Sequence, residues 1–283
     1  FEFEDAFLTS TYFTMGELGM QADTSRFEIQ GNDLNALAFK TDNVKADVDF
    51  NNRVGDFVSH AGLTEIALPA IRYLCTMDRF RWFMDEDQIE LENTFTDDEE
   101  LIFADLADKS FSNFVSIHPD QDSLHFACTR ALYRVEEAIV ECRDVKAMAV
   151  ADAEVWPDSG NVTIRRDAAM DPLKNAIIYA NDVTRYHRFF DATIQVKGRL
   201  DYRAAASYLY KDAQGIEWPI FFDKIEVDTA YSTVAEGSIA MGQEFYLSPY
   251  FEFTGDVGLL ASRKDLEFDG GTRLVFNCED YKR

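Results

Sequence analysis

The sequence predicts an all-β protein, and three observations carry that prediction. Apolar and polar residues alternate with a period of two through much of the chain, helical periodicity is nearly absent, and short polar turns separate the alternating runs. Within 44–50, Val44, Ala46, Val48 and Phe50 face one way while Lys45, Asp47 and Asp49 face the other. The same alternation runs through Ile71, Tyr73, Cys75 and Met77, through Phe80, Trp82 and Met84, and through Ile194, Val196, Gly198, Leu200 and Tyr202. Turn residues cluster at 51–56, 135–138, 157–161, 211–215 and 268–272, and intervals this short join antiparallel neighbours. About sixteen to twenty short strands result, more than one small closed barrel holds. The expected architecture is therefore an elongated jellyroll or solenoid-like stack of many short, mostly antiparallel strands. A loose phrase of strand, Asp, Gly and strand recurs at 156–164, 227–239 and 250–259, which fits a sheet that repeatedly turns its own corners. The exception is 97–114, where Asp97 and Asp98 suit a helix N-terminus and Leu101, Leu106 and Phe111 give it a face to pack, predicting one short helical insertion.

That acidic stretch is also the expected boundary. It separates a first β lobe over 1–95 from a longer second lobe over 124–283, with 96–123 as an acidic linker carrying the helix; a single continuous stack is the alternative. Phe1 opens a segment that already reads as strand, so the sequence looks like the interior of a longer chain.

Charge narrows the partners. The chain has 283 residues, with 52 acidic against 27 basic and a net charge of −25, which opposes binding to phosphate backbones and argues against a nucleic-acid partner. No apolar run approaches the ~18 residues of a membrane helix. Cys75, Cys128, Cys142 and Cys278 show no zinc spacing. A hairpin turning at 135–138 pairs position 128 with about 145, so Cys128 and Cys142 are not opposite one another and free thiols are expected.

Chemistry-bearing residues are sparse. His118, Asp120, Asp122 and His125 form the densest set of metal-capable side chains, since a transition metal takes imidazoles with a carboxylate; the competing reading is a polar loop whose Asp side chains bond local backbone. Carboxylates at 84–93 and 96–100 are of the type that binds Ca2+, but no Gly-centred calcium loop accompanies them. There is no Gly-x-Ser-x-Gly elbow, phosphate loop or dinucleotide fingerprint, and His60 and His187 read as surface or strand-edge residues. The chain is accordingly expected to be no enzyme and to need no cofactor. Phe245, Tyr246, Tyr250, Phe251 and Phe253 are either core or an open apolar groove for acyl chains or a partner strand.

Over 220–277, with 75–92 and 141–164, the chain resembles large β-rich cell-envelope proteins of Bacteroidota-type bacteria, and its VDTAYSTVAEGSI and FTGDVGL phrases are similar to the OstA-like fold of periplasmic lipopolysaccharide-transport proteins. The resemblance implies a periplasmic or outer-membrane-associated setting and a module of a larger protein. Three roles are expected. The first is a non-catalytic structural or partner-binding module, contacting neighbouring domains of the same chain or other envelope proteins. The second is an OstA-like conduit for lipid or glycolipid, and the third is a carbohydrate-binding or hydrolysing module. Trp82, Trp156 and Trp218 discriminate the last, which needs exposed aromatic platforms.

Overall fold

The computed structural model describes residues 1–31, 36–60, 62–94 and 112–275. Its strands are β1 (Ala6–Ser10), β2 (Thr14–Met15), β3 (Gly19–Gln30), β4 (Leu37–Asp49), β5 (Val54–Ser59), β6 (Thr64–Leu68), β7 (Tyr73–Met77), β8 (Arg79–Phe83), β9 (Gln88–Glu92), β10 (Phe114–Ser116), β11 (His125–Phe126), β12 (Arg130–Arg134) and β13 (Ile139–Arg143). There follow β14 (Met148–Val150), β15 (Ala153–Trp156), β16 (Val162–Ile164), β17 (Leu173–Ala180), β18 (His187–Gly198), β19 (Asp201–Lys211), β20 (Glu217–Val227), β21 (Thr233–Ile239), β22 (Tyr246–Ser248), β23 (Phe251–Leu260) and β24 (Glu267–Leu274). The all-β prediction holds: the sheets are antiparallel, and the helical content of the described residues is confined to short 3-10 turns.

The chain forms two compact units, one comprising 1–149, 156–171 and 197–199, the other 150–155, 172–196 and 200–283. The expected division at 96–123 is therefore displaced. Strands on both sides of that stretch join one sheet, β10 pairing with β7 and β12 with β9. The helix expected over 97–114 falls on 95–111, outside the described residues, and at Phe114 the chain is already in β10.

The first unit is built on a fourteen-stranded sheet in the order β11-β10-β7-β6-β4-β5-β8-β9-β12-β13-β16, with β3 on the other edge of β4 and β1 and β2 on β3. One edge of β4 changes partner: Lys40 and Thr41 pair with β6, Val44 to Asp49 pair with β5, and between them Asn43 sits at φ 61°. An Asx side chain tolerates that left-handed conformation, and bulges of this kind bend strands. The neighbouring strands break at the same level. The buried alternation Tyr73, Cys75, Met77 slips by one residue at Asp78 before resuming as Phe80 and Trp82. The sheet thus turns a corner along one line, giving a limb of β6, β7, β10 and β11 and a limb of β5, β8, β9, β12, β13 and β16.

At a corner the ladder hydrogen bonds lapse, and a buried backbone group without a partner costs about 1–3 kcal/mol. Buried polar side chains replace them. The Thr94 backbone N–H donates to Asp78 Oδ1 (2.9 Å), and Ser59 N–H to the Asp78 carbonyl (2.8 Å). Asn113 uses both ends of its amide on Cys128, accepting from its N–H (2.9 Å) and donating to its carbonyl (2.8 Å). Thr41 Oγ1 donates to the Glu65 carbonyl (3.0 Å), Thr64 Oγ1 to the Asp42 carbonyl (2.9 Å) and Ser25 Oγ to the Val44 carbonyl (2.9 Å). The two limbs meet over the core, where Tyr133 of β12 donates to the carbonyl of Ala38 in β4 (3.1 Å). Phe57 and Phe80 stack at 4.4 Å beside Phe27, Phe39 and Trp82, while Tyr73, Phe114 and Phe126 fill the other limb.

The second unit is a ten-stranded sheet ordered β14-β15-β17-β18-β19-β20-β21-β23-β22, with β24 on the outer edge of β23. Two sequence readings change here. The alternating run 193–202 is the end of β18 and the start of β19, joined at 199–200. The expected turn at 268–272 lies inside β24, because Gly255 and Gly270 face each other so closely that a Cβ on Gly270 would lie 2.2 Å from the Thr254 carbonyl oxygen. A buried network organises the interior: Thr233 donates to Asp152 Oδ1 through both N–H (2.9 Å) and hydroxyl (2.6 Å), and Tyr202 donates to Thr233 Oγ1 (2.7 Å).

Replacing Asn113 by Ala strands two buried backbone groups of Cys128. The expected loss in unfolding free energy is about 2–5 kcal/mol by denaturant titration, at the upper end of single-residue effects.

Candidate functional site

The corner also aligns the residues beside it. Cross-strand register places Val58 opposite Arg79, Arg79 opposite Glu92, Glu92 opposite Arg130 and Arg130 opposite Arg143. Each belongs to the solvent-facing phase, one position from the seam residues Ser59, Asp78, Asn93, Thr129 and Asp144. A second row, Asp56, Arg81, Glu90 and Leu132, runs parallel to the first. With strands ~4.8 Å apart, five residues span about 19 Å. These side chains line a groove of about 510 Å³. The intervening residues Phe57, Phe80, Leu91 and Ala131 are buried, so its floor is a rigid part of the sheet.

Ion pairs fix the walls. Arg81 holds Asp56 at 2.7 Å, Arg130 holds Asp144 at 3.0 Å, and Arg79 lies 3.8 Å from Glu92. Arg130, with the Thr129 hydroxyl at 2.7 Å, keeps the Asp144 carboxyl below its usual range. Arg143, next to it in sequence, adds its charge to the same lowering.

A second trough, about 950 Å³, adjoins the first along Glu92 and Arg130 and adds Asn93, Thr94, Lys146, Trp156 and Ser159 to the lining. The turn that carries Trp156 is clamped down. The Gly160 carbonyl accepts from Val145 N–H (3.0 Å), and at φ 66° Gly160 lies so near the Val145 backbone that a Cβ would approach it at 3.1 Å. Trp156 keeps 37% of its surface exposed. Along the two troughs five bases, Arg79, Arg81, Arg130, Arg143 and Lys146, face four acids, Asp56, Glu90, Glu92 and Asp144. That inverts the balance of a chain with 52 acidic and 27 basic residues.

The histidine-rich loop is arranged differently from a metal centre. His118 caps a 3-10 turn, its Nδ1 accepting from Asp120 N–H (3.1 Å), while the Asp122 backbone is left-handed and its carbonyl accepts from Arg199 (3.0 Å). His125 turns inward, its Nδ1 on the Ser123 carbonyl at 2.8 Å. Among the described residues no three His, Cys, Asp or Glu side chains converge to hold a metal, so His118, Asp120, Asp122 and His125 follow the polar-loop reading. The 84–93 carboxylates separate in the same way: Asp85 pairs with Arg53, while Glu90 and Glu92 enter the groove. Residues 96–100 lie outside the described residues.

The apolar groove expected from Phe245, Tyr246, Tyr250, Phe251 and Phe253 is divided between inside and outside. Phe245 and Phe253 are buried in a cluster with Tyr210, Trp218 and Phe268, and Tyr246 packs on Trp218 at 5.1 Å. Tyr250 and Phe251 are exposed, because a turn and a register shift between β22 and β23 interrupt the alternation. Of the tryptophans, Trp82 is buried, Trp218 is half-buried and donates to Asp212, and Trp156 is the one that lines a groove. Cys75, Cys128 and Cys142 are buried free thiols, β12 and β13 take the expected register, and burial, reinforced by the neighbouring Cys128, pushes the Cys142 thiol up. Cys278 lies outside the described residues. Neither protein-family models nor curated proteins give a match to this chain.

His60 is exposed at the end of β5, as expected, but His187 is wholly buried. Its Nε2 donates to the Arg263 carbonyl (2.6 Å) and its Nδ1 accepts from the Tyr208 hydroxyl (3.1 Å), so it is held as the neutral tautomer. Burial lowers its pKa against the opposing effects of the Arg263 carbonyl and Asp265. The unfolded chain therefore takes up this proton first as pH falls through about 6.5. Its contribution to stability is intact above that pH and declines toward the lower folded pKa. Denaturant midpoints measured between pH 7.5 and 5 will fall less for His187→Gln than for the parent protein.

Proposed function

We propose that the chain is a non-catalytic binding module of a larger bacterial cell-envelope protein, and that the charged groove of the first unit is its contact surface. The envelope setting rests on the resemblance of the sequence to β-rich envelope proteins. The binding role rests on one observation: five neighbouring strands hold nine outward side chains in register over a buried floor, with Arg79, Arg81 and Arg130 already paired to acids. A rigid surface of this kind loses little entropy on contact, which favours recognition of an extended partner. The other apolar faces support a structural role, since the aromatic clusters of both units are filled from within. The groove carries the mixed polar and apolar character of a contact surface, with Val58 and Leu132 lying among the charged residues.

A photo-cross-linking residue placed at Val58 or Leu132, one at a time in the full chain within envelope preparations, tests this assignment. Discrete adducts are expected at both positions, weakened at least fivefold by Arg143→Glu, with none at Met241, which is 89% exposed in the other unit. Equal labelling at all three positions, or adducts indifferent to Arg143→Glu, would overturn it.

A further inference from the structure

The edge of the second unit's sheet carries a contact surface of a different kind. β24 runs for eight residues beside β23, from Phe251 opposite Leu274 to Gly258 opposite Glu267, without a shift of register. Among the described residues no strand lies on its other side. The Val275 N–H donates to the Tyr250 carbonyl (2.8 Å), which sets the phase of the ladder. Bonded positions alternate in an antiparallel pair, so Glu267, Asp269, Gly271 and Arg273 bond back to β23. The backbone N–H and C=O groups of Phe268, Gly270, Thr272 and Leu274 therefore point away from the sheet.

Edges of this length are ordinarily blunted by Pro, by a bulge or by a covering segment. β24 contains no Pro and no bulge, and at its centre Gly270 and Gly271 leave the backbone bare. A Cβ on Gly271 would meet nothing within 4 Å.

The two faces of this edge differ in chemistry. On the solvent side Asp269 lies directly opposite Asp256, and Asp223, Glu236 and Glu267 join them around a trough of about 660 Å³. Lys224 answers Glu236 and Arg263 answers Glu267, whereas no ion pair among the described residues engages Asp256 or Asp269. Like charges directly opposite one another repel, so a cation beside them is favoured. On the other side Phe268 is half-buried against Phe253 (5.3 Å) and Tyr210 (5.4 Å), and Leu274 and its cross-strand neighbour Phe251 are exposed.

We infer that the outer edge of β24 takes up an extended segment of another protein as an added strand, with basic residues on the Asp269 side and apolar residues at the alternate positions. Main-chain hydrogen bonds to Phe268, Gly270, Thr272 and Leu274 supply the attachment, and the alternation of the incoming side chains supplies the selectivity. A base beside Asp269 relieves its repulsion with Asp256, while an apolar residue on the opposite face extends the surface begun by Phe268 and Leu274. A second copy of the chain fits less well, because it would bring a further net charge of −25 to an edge that is already acidic. The edge shares no residue with the charged groove, so the two assignments fail separately.

The test takes the intact protein and a blocked peptide of alternating lysine and valine, with calorimetry for affinity and amide hydrogen exchange by NMR for the site. Binding is expected at micromolar to millimolar concentrations. At saturation, exchange at Phe268, Gly270, Thr272 and Leu274 is expected to slow at least tenfold, with little change at Asp269 and Gly271, which are already bonded in the ladder. The same peptide with glutamate in place of lysine is expected to bind at least tenfold more weakly. Thr272→Pro removes one outward donor and Asp269→Lys reverses the charge at the centre of the edge; each is expected to weaken binding at least fivefold. Both positions are exposed on an edge strand, where Pro is tolerated, and an unchanged circular-dichroism spectrum and melting midpoint check the folding of each variant. Full protection of the four outward amides in the free protein would mean that the edge is already covered, and protection that grows with protein concentration would assign it to a second copy. Either result overturns the inference, as would absence of binding, equal binding of the glutamate peptide, or affinity indifferent to both variants.

Discussion

The first unit depends on the hydrogen bonding of its corner. A sheet of fourteen strands encloses its own apolar face only by bending, and a bend interrupts the ladder in the one place where water is excluded. Here the interruption is met by Asp78, Asn113, Thr41, Thr64 and Ser25, each bonded to backbone that would otherwise be orphaned. Apolar side chains at these positions would give a more hydrophobic interior and a less stable one. Desolvating an amide without a partner costs more than a methyl group contributes.

The same corner accounts for the site. Because bent strands must change direction together, the residues one position from the seam fall into a single cross-strand row, and Val58, Arg79, Glu92, Arg130 and Arg143 become neighbours although they are spread over more than eighty positions of the chain. Glu92 then lies between Arg79 and Arg130 across the strands, while Arg130 and Arg143 set two bases side by side at the end nearer the clamped turn. Sheet geometry thereby converts an unremarkable alternation of polar residues into an extended, directional surface.

Much of this is visible in the sequence once the right feature is sought. Alternation located the strand faces, and the corner has its own signature in the slip of phase at Asp78 between Met77 and Phe80 and at 42–43 between Thr41 and Val44. Arg79, Arg81, Arg130 and Arg143 could each be assigned to a solvent-facing phase. Their assembly could not, because register is a non-local property that a single strand does not encode. The same limit explains the remaining differences. Burial of His187 depends on Tyr208 and the Arg263 carbonyl, 21 and 76 positions away, and the split among Phe245, Tyr250 and Phe251 depends on one irregularity between β22 and β23.

Native-state hydrogen exchange, resolved to single amides by NMR, tests the corner most directly. Thr94 N–H and Cys128 N–H are bonded to side chains, those of Asp78 and Asn113, while the amides of β7 and β8 are bonded within the ladder. If these side chains secure the bend, Thr94 and Cys128 will exchange only on global unfolding, with the same protection and the same denaturant dependence as the most protected amides of β7 and β8. Exchange at those two amides through local opening, independent of denaturant and far ahead of both strands, would contradict the account.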